Sequence, residues 1–227
     1  MTLLAVAHRA GNSMARLHSA VALGADVIEA DVHSYRGRLE IRHLKTLGPL
    51  PWLWDRWELH PASAPRTGLH DLLQAADGGA TFMLDLKGRR AEIGDRVARM
   101  LHAYAPGRPV LICSRYWPAL RPLDRLPWVR TVLSARNRGE LVLLSRRLRA
   151  EPRTYGVSVH RSLLTPAVAA ALHERVELVM TWPVNDPAAL GEVSALAASG
   201  RIGVISDEDD VLRRVVSFDV EKGGLSP

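Results

Sequence analysis

Three acidic side chains sit near the ends of short apolar runs. Glu29 and Asp31 are one residue apart in "VIEADV", and Asp85 stands two residues before Lys87 in "TFMLDLKG". Alternate residues of a strand share a face. Glu29 and Asp31 therefore point the same way as Val27, and Asp85 and Lys87 point with Thr81 and Met83. Burying a carboxylate without a partner is costly. Three from neighbouring strands repel one another unless a cation lies among them, and an all-oxygen set suits Mg²⁺ or Ca²⁺. A salt-bridged pair facing arginine is the structural alternative for Glu29 and Asp31. His8 ends the first apolar run just before Arg9, and His43 closes the segment after Asp31. Imidazoles titrate near neutral pH, so the two can serve as general base and general acid. Arg9 and Lys87 can neutralise an anionic group. A divalent ion, two histidines and two cations together suit phosphoryl chemistry, where stabilising charge on phosphate oxygens is most of the task.

The elements that must position these residues follow a regular alternation. Strands are expected at Leu3–Ala7, Asp26–Val32, Thr81–Leu86, Pro109–Cys113, Val129–Ser134, Tyr155–Val159, Val176–Thr181 and Gly203–Ser206. A short extra strand is expected at Arg38–Arg42. Amphipathic helical stretches lie between them, including "NSMARLHSAVALG", "RAEIGDRVARMLHAYA" and "YWPALRPLDRL". Gly24, Gly78, Gly107 and Gly200 stand where helices should stop, and Asn12, Thr165 and Asp186 where N-caps belong. Eight such units predict a TIM (β/α)8 barrel in a single domain spanning 1–227; a doubly wound open sheet is the runner-up. In a barrel, chemistry sits at the C-terminal strand ends, which is where these carboxylates fall. The segment Leu44–Thr67, with Trp52, Trp54 and Trp57, reads as irregular. It is either a lipid-touching edge or cover for the site, or a loop folded over the barrel.

Composition narrows the partners. The chain has 227 residues, is 47% hydrophobic and carries a net charge of +6 with pI about 10.1. That size and apolar content sustain a full core. The basic balance suits an anionic ligand or an acidic lipid surface, so peripheral membrane contact is one expectation. The arginines are scattered and no nucleic-acid-binding signature accompanies them, so nucleic acid is not expected as a partner. No run approaches the ~20 apolar residues of a membrane span, and the first twelve residues do not read as a signal peptide. The single cysteine, Cys113, rules out an intramolecular disulfide and fits a cytoplasmic protein. It reads as packing.

The polar residues also carry a family resemblance. "AHRAGNSMARLHSAVALGADVIEADVHSYRGRLEIRH", "FMLDLKG" and "VMTWPVNDPAALGEVSALAASGRIGVISDEDDVL" follow one another in the order of motifs in the glycerophosphodiester phosphodiesterase family. That family opens with a strand and His-Arg-Gly, continues with a Gly-Ala-Asp-x-Ile-Glu-x-Asp-Val strand and a His-Asp, and later has Glu-x-Lys and Trp-Thr-Val-Asn. The chain resembles it over nearly its whole length. The resemblance implies a TIM barrel that hydrolyses a glycerophosphodiester to glycerol 3-phosphate and an alcohol. It implies His8 and His43 as the acid/base pair. It implies Glu29, Asp31 and Asp85 as ligands of one divalent cation, Arg9 and Lys87 as phosphate contacts, and Trp182 as a wall of the substrate pocket. The chain departs from the pattern at Ala10, where the family has Gly, at Leu44, where it has Asp, and at Asp85, where most members have Glu. The family's insertion after the second His is reduced to the Trp-containing segment. Asp-x-Lys also resembles the related sphingomyelinase D-type phospholipases, which makes lysophospholipid or sphingolipid the alternative substrate. A phosphate- or lipid-binding barrel without catalysis is the third reading.

Overall fold

Eight parallel strands close on themselves in a computed structural model that describes residues 2–55, 58–75, 81–151 and 154–223. They are β1 (Leu3–Ala7), β2 (Val27–Tyr35), β7 (Thr81–Leu86), β8 (Val110–Ser114), β9 (Val129–Ala135), β10 (Gly156–His160), β11 (Leu178–Trp182) and β12 (Arg201–Ser206). Each pairs with the next, and β12 and β2 both pair with β1, which closes the ring. The TIM barrel expected from the alternation is the observed fold, and the open doubly wound sheet is excluded by that closure. The short strand β3 (Arg38–Ile41) runs antiparallel to β2 at its far end.

Around the barrel lie α1 (Met14–Leu23), α2 (Leu69–Ala75), α3 (Glu92–Tyr104), α4 (Arg138–Ala150), α5 (Pro166–His173), α6 (Pro187–Leu196) and α7 (Asp209–Gly223). Val, Ile and Leu dominate the strands because a parallel sheet is buried on both faces. One face fills the barrel, where Leu4, Val6, Val27, Met83, Leu111 and Met180 pack together. The other packs on the helices through Ile28, Val32, Leu84, Ile112 and their neighbours. Local chemistry closes the helices as the sequence suggests. Thr165 and Asp186 accept hydrogen bonds from the amides of Val168 and Ala189, and Gly24 ends α1 in the left-handed region at φ 86°.

Three expectations need correction. "YWPALRPLDRL" forms no α-helix; it makes two 3-10 turns, Trp117–Ala119 and Arg121–Arg125. Pro118 and Pro122 each lack an amide proton, and so interrupt an α-helical ladder over this stretch. Asn12 does not cap α1, whose N-cap is Ser13; its side chain is engaged elsewhere. Leu44–Thr67 is not irregular: β4 (Lys45–Thr46), β5 (Trp52–Asp55) and β6 (Glu58–Pro61) form a separate antiparallel sheet. Gly78 and Trp57 lie outside the described residues.

The 3-10 turns pack so closely on α3 that a Cβ on Gly94 would stand 1.9 Å from the carbonyl oxygen of Ala119. Helix propensity alone favours Ala over Gly by about 1 kcal/mol. Overpacking against backbone costs about 1–3 kcal/mol and wins here. Gly94→Ala is expected to lower the melting temperature by up to roughly 8 °C. A melting temperature at or above wild type would contradict this packing.

Candidate active site

The strand ends bring the sequence-predicted residues together at one mouth of the barrel. One carboxylate oxygen from each of Glu29, Asp31 and Asp85 lies within 4.8 Å of the others. The register explains this: β2 and β7 run in parallel with Asp31 opposite Asp85, and Glu29 is one inward position below Asp31. Glu29 and Asp31 are buried. Lys87 lies among them, with Nζ 2.6 Å from Asp31 Oδ1 and ion-paired also to Asp85.

Each carboxylate is fixed by a neighbour. The amide of Arg9 donates to Glu29 Oε2 at 2.6 Å. Arg9 itself adopts φ 54°, a conformation few non-glycine residues take, and it does so where its amide meets that carboxylate. Asn12 and Asp31 form a two-bond fork: Asn12 Nδ2 donates to Asp31 Oδ2, and the Asp31 amide donates to Asn12 Oδ1, both at 2.8 Å. The side chain expected to cap a helix thus ties the loop after β1 to the middle of β2.

Electrostatics follow from this crowding. Burial, then the charge of Asp31, pushes the Glu29 carboxyl well above its ordinary value. Burial raises Asp85 too, against the pull of Lys87. Burial would raise Asp31 as well, but Lys87 and the Asn12 amide hold it below the usual range. The Lys87 ammonium is held above its ordinary value by Asp85, Asp31 and Glu29, which outweigh its own burial. The donor set is all oxygen and convergent, with excess negative charge, which is what a hard divalent cation requires.

Both histidines are anchored through Nδ1 to a carboxylate. His8 Nδ1 lies 2.8 Å from Asp207 Oδ1, and His43 Nδ1 lies 2.6 Å from Asp55 Oδ2. The His8 bond is the main cause of the Asp207 carboxyl falling to about 2. Asn185 Nδ2 donates to Asp207 Oδ2 at 3.1 Å and its Oδ1 accepts the Asp207 amide. A carboxylate on Nδ1 keeps the proton there and leaves Nε2 as the nitrogen with the free lone pair. His43 Nε2 accepts from Arg9 Nη2 at 2.8 Å, which fixes the same tautomer. Trp182 ends β11 above the barrel core, edge-on to His160 at 4.9 Å between ring centroids.

Asp55, Asn12, Asn185 and Asp207 are not among the residues that the sequence marks for the site. Asp55 carried no local signal, since it lies in the segment read as irregular. Leu44, which departs from the family pattern, contributes only its backbone carbonyl, which accepts from Arg42. Burial, then Arg42, lowers His33 to about 3, so it is neutral at pH 7. Cys113 is buried, and its thiol is pushed well up by burial and by Asp85, as packing implies.

No family model matches the chain, and no curated protein matches its sequence. Solved structures do match its fold. A Silicibacter pomeroyi protein, provisionally named a glycerophosphoryl diester phosphodiesterase, superposes with TM-score 0.77 at 16% identity, covering 96% of this chain and 94% of that one. A phosphodiesterase of Oleispira antarctica, solved with the product sn-glycerol-3-phosphate, gives TM-score 0.72 at 19% identity over 96% and 97%. A glycerophosphodiester phosphodiesterase of Thermotoga maritima gives 0.68 at 17% identity over 96% and 98%. At these identities the likeness shows the shared barrel. No helix among the described residues is long and apolar enough to cross a membrane.

Proposed function

We propose that the chain is a metal-dependent phosphodiester hydrolase of the glycerophosphodiester phosphodiesterase family, one barrel domain over residues 1–227. The observation that carries this reading is the convergence of Glu29, Asp31 and Asp85 within 4.8 Å beside two carboxylate-anchored histidines. The motif order in the sequence and the fold likeness to phosphodiesterases support it.

Glu29, Asp31 and Asp85 would hold one Mg²⁺ or Ca²⁺, which when bound supplies charge to offset that on the phosphoryl oxygens. Arg9 and Lys87 add positive charge toward the phosphate, and Trp182 walls the pocket. One of His8 and His43 takes the proton of the attacking oxygen through Nε2. The other, starting as the imidazolium, gives its Nε2 proton to the departing alcohol as its P–O bond breaks, leaving glycerol 3-phosphate directly, or a cyclic phosphate that water then opens to it. The attacking oxygen is that of water, or a substrate hydroxyl that first closes a cyclic phosphate. Asp207 and Asp55 hold the rings and stabilise the imidazolium form of each. The partner is a small-molecule phosphodiester, with no nucleic acid, in the cytoplasm.

The exposed aromatic edge of β5 favours a second reading, in which the substrate is a lysophospholipid or sphingolipid. Parallel assays with glycerophosphocholine and lysophosphatidylcholine separate the two. Faster turnover of glycerophosphocholine is expected. Preference for lysophosphatidylcholine would move the assignment to the lipid, and turnover of neither with any divalent ion would leave a binding barrel.

A further inference from the structure

The strand β5 divides its side chains between two faces. Leu53 is buried and Asp55 bonds His43, so both point toward the barrel. Trp52 and Trp54 therefore point away. The register extends the division to the neighbouring strands. Trp54 lies opposite Lys45 on β4 and Leu59 on β6, and Trp52 lies opposite Pro61. The Leu47 amide donates to the Trp52 carbonyl, continuing the outer row. Glu58 lies opposite Asp55, so the acidic residue of β6 belongs to the other face.

The outer face is thus apolar, aromatic and fringed by a cation. Leu47 is 37% exposed, Trp52 43% and Leu59 62%, while Leu50, in the turn between β4 and β5, is 51% exposed. Of the nine large apolar side chains exposed among the described residues, these four fall within residues 47–59, so the exposure is a patch and not scatter. The Lys45 ammonium lies 5.0 Å from the Trp54 ring centroid.

We propose that this face docks on an anionic phospholipid surface. Tryptophan, leucine and a lysine with an apolar stem are the side chains that settle at the boundary between headgroups and acyl chains. The net charge of +6 complements an anionic surface. A second copy of the chain is the poorer occupant, because a stable protein interface engages roughly 20–30 residues a side and this sheet offers far fewer. The same strand carries Asp55 to His43, so a lipid docked on the outer face lies beside the proposed catalytic mouth. Only that consequence rests on the phosphodiesterase reading; the docking itself does not.

Cosedimentation with vesicles tests it without any turnover. The full chain is mixed with phosphatidylcholine vesicles containing phosphatidylglycerol, and separately with pure phosphatidylcholine. Wild type is expected to partition onto the anionic vesicles. Trp52→Ser combined with Leu59→Ser should reduce that partition by roughly tenfold or more, and Lys45→Glu should weaken the preference for phosphatidylglycerol. Melting temperature and turnover of soluble glycerophosphocholine should match wild type in these variants. Absence of wild-type partition, or partition unchanged in the double variant, would overturn the proposal. So would a wild-type dimer that dissociates in the double variant and never binds vesicles, which would assign the face to a second copy.

Discussion

Replacing His43 by Ala is expected to lower kcat for glycerophosphodiester turnover by about 10²–10⁴-fold, the range general acid–base catalysis supplies. The barrel should survive, because His43 is half-buried at the mouth and lies outside the buried core. The expectation rests on Nδ1 being held by Asp55 at 2.6 Å, which leaves the Nε2 lone pair, here accepting from Arg9 Nη2, to take a proton when Arg9 turns to the phosphate. Asp55→Asn supplies the graded control. An amide oxygen can still accept the Nδ1 proton, so the ring stays oriented, but the charge that stabilises the imidazolium is gone. Its kcat should fall by less than that of His43→Ala, with KM nearly unchanged and the pH–rate profile displaced. Near-wild-type kcat in His43→Ala would remove the residue from the mechanism. An unchanged profile in Asp55→Asn would leave Asp55 as packing alone.

The second large effect is thermal. A divalent ion that binds the folded chain and not the unfolded one stabilises it by about 2.7 kcal/mol at a hundredfold excess over Kd. For a chain of this size that raises the melting temperature by roughly 5–10 °C. Asp85→Asn should lose most of the rise, since it removes one of three converging oxygens. The apo variant should still fold, because Lys87 keeps its ion pair with Asp31 and the Asn12 fork remains. An equal shift in wild type and variant would place the ion elsewhere.

What could be read from the sequence divides along physical lines. The barrel strands were legible because each is a short apolar run bounded by a helical pattern, and the period of two assigned the inward face. Glu29, Asp31 and Asp85 could be grouped for that reason alone. The sheet β4–β5–β6 was not legible, since its strands are two to four residues long and carry little periodicity. Asp55 was missed with it. Asn12 was misread because a cap depends on nearby sequence, whereas its partner, Asp31, is 19 residues away. The turns at Trp117–Arg125 show the opposite failure: an amphipathic pattern was present, but two prolines decided the backbone.

If the carboxylate cluster and the histidine pair form one metal-dependent hydrolytic site, hydrolysis must follow the ion. Release of glycerol 3-phosphate from glycerophosphocholine, followed in a single sample through chelation and reconstitution, tests it most directly. Turnover is expected with Mg²⁺ or Ca²⁺, with its loss on adding EDTA and its return when the ion is restored in excess. Turnover that EDTA leaves untouched, or no glycerol 3-phosphate at any concentration of either ion, would contradict it.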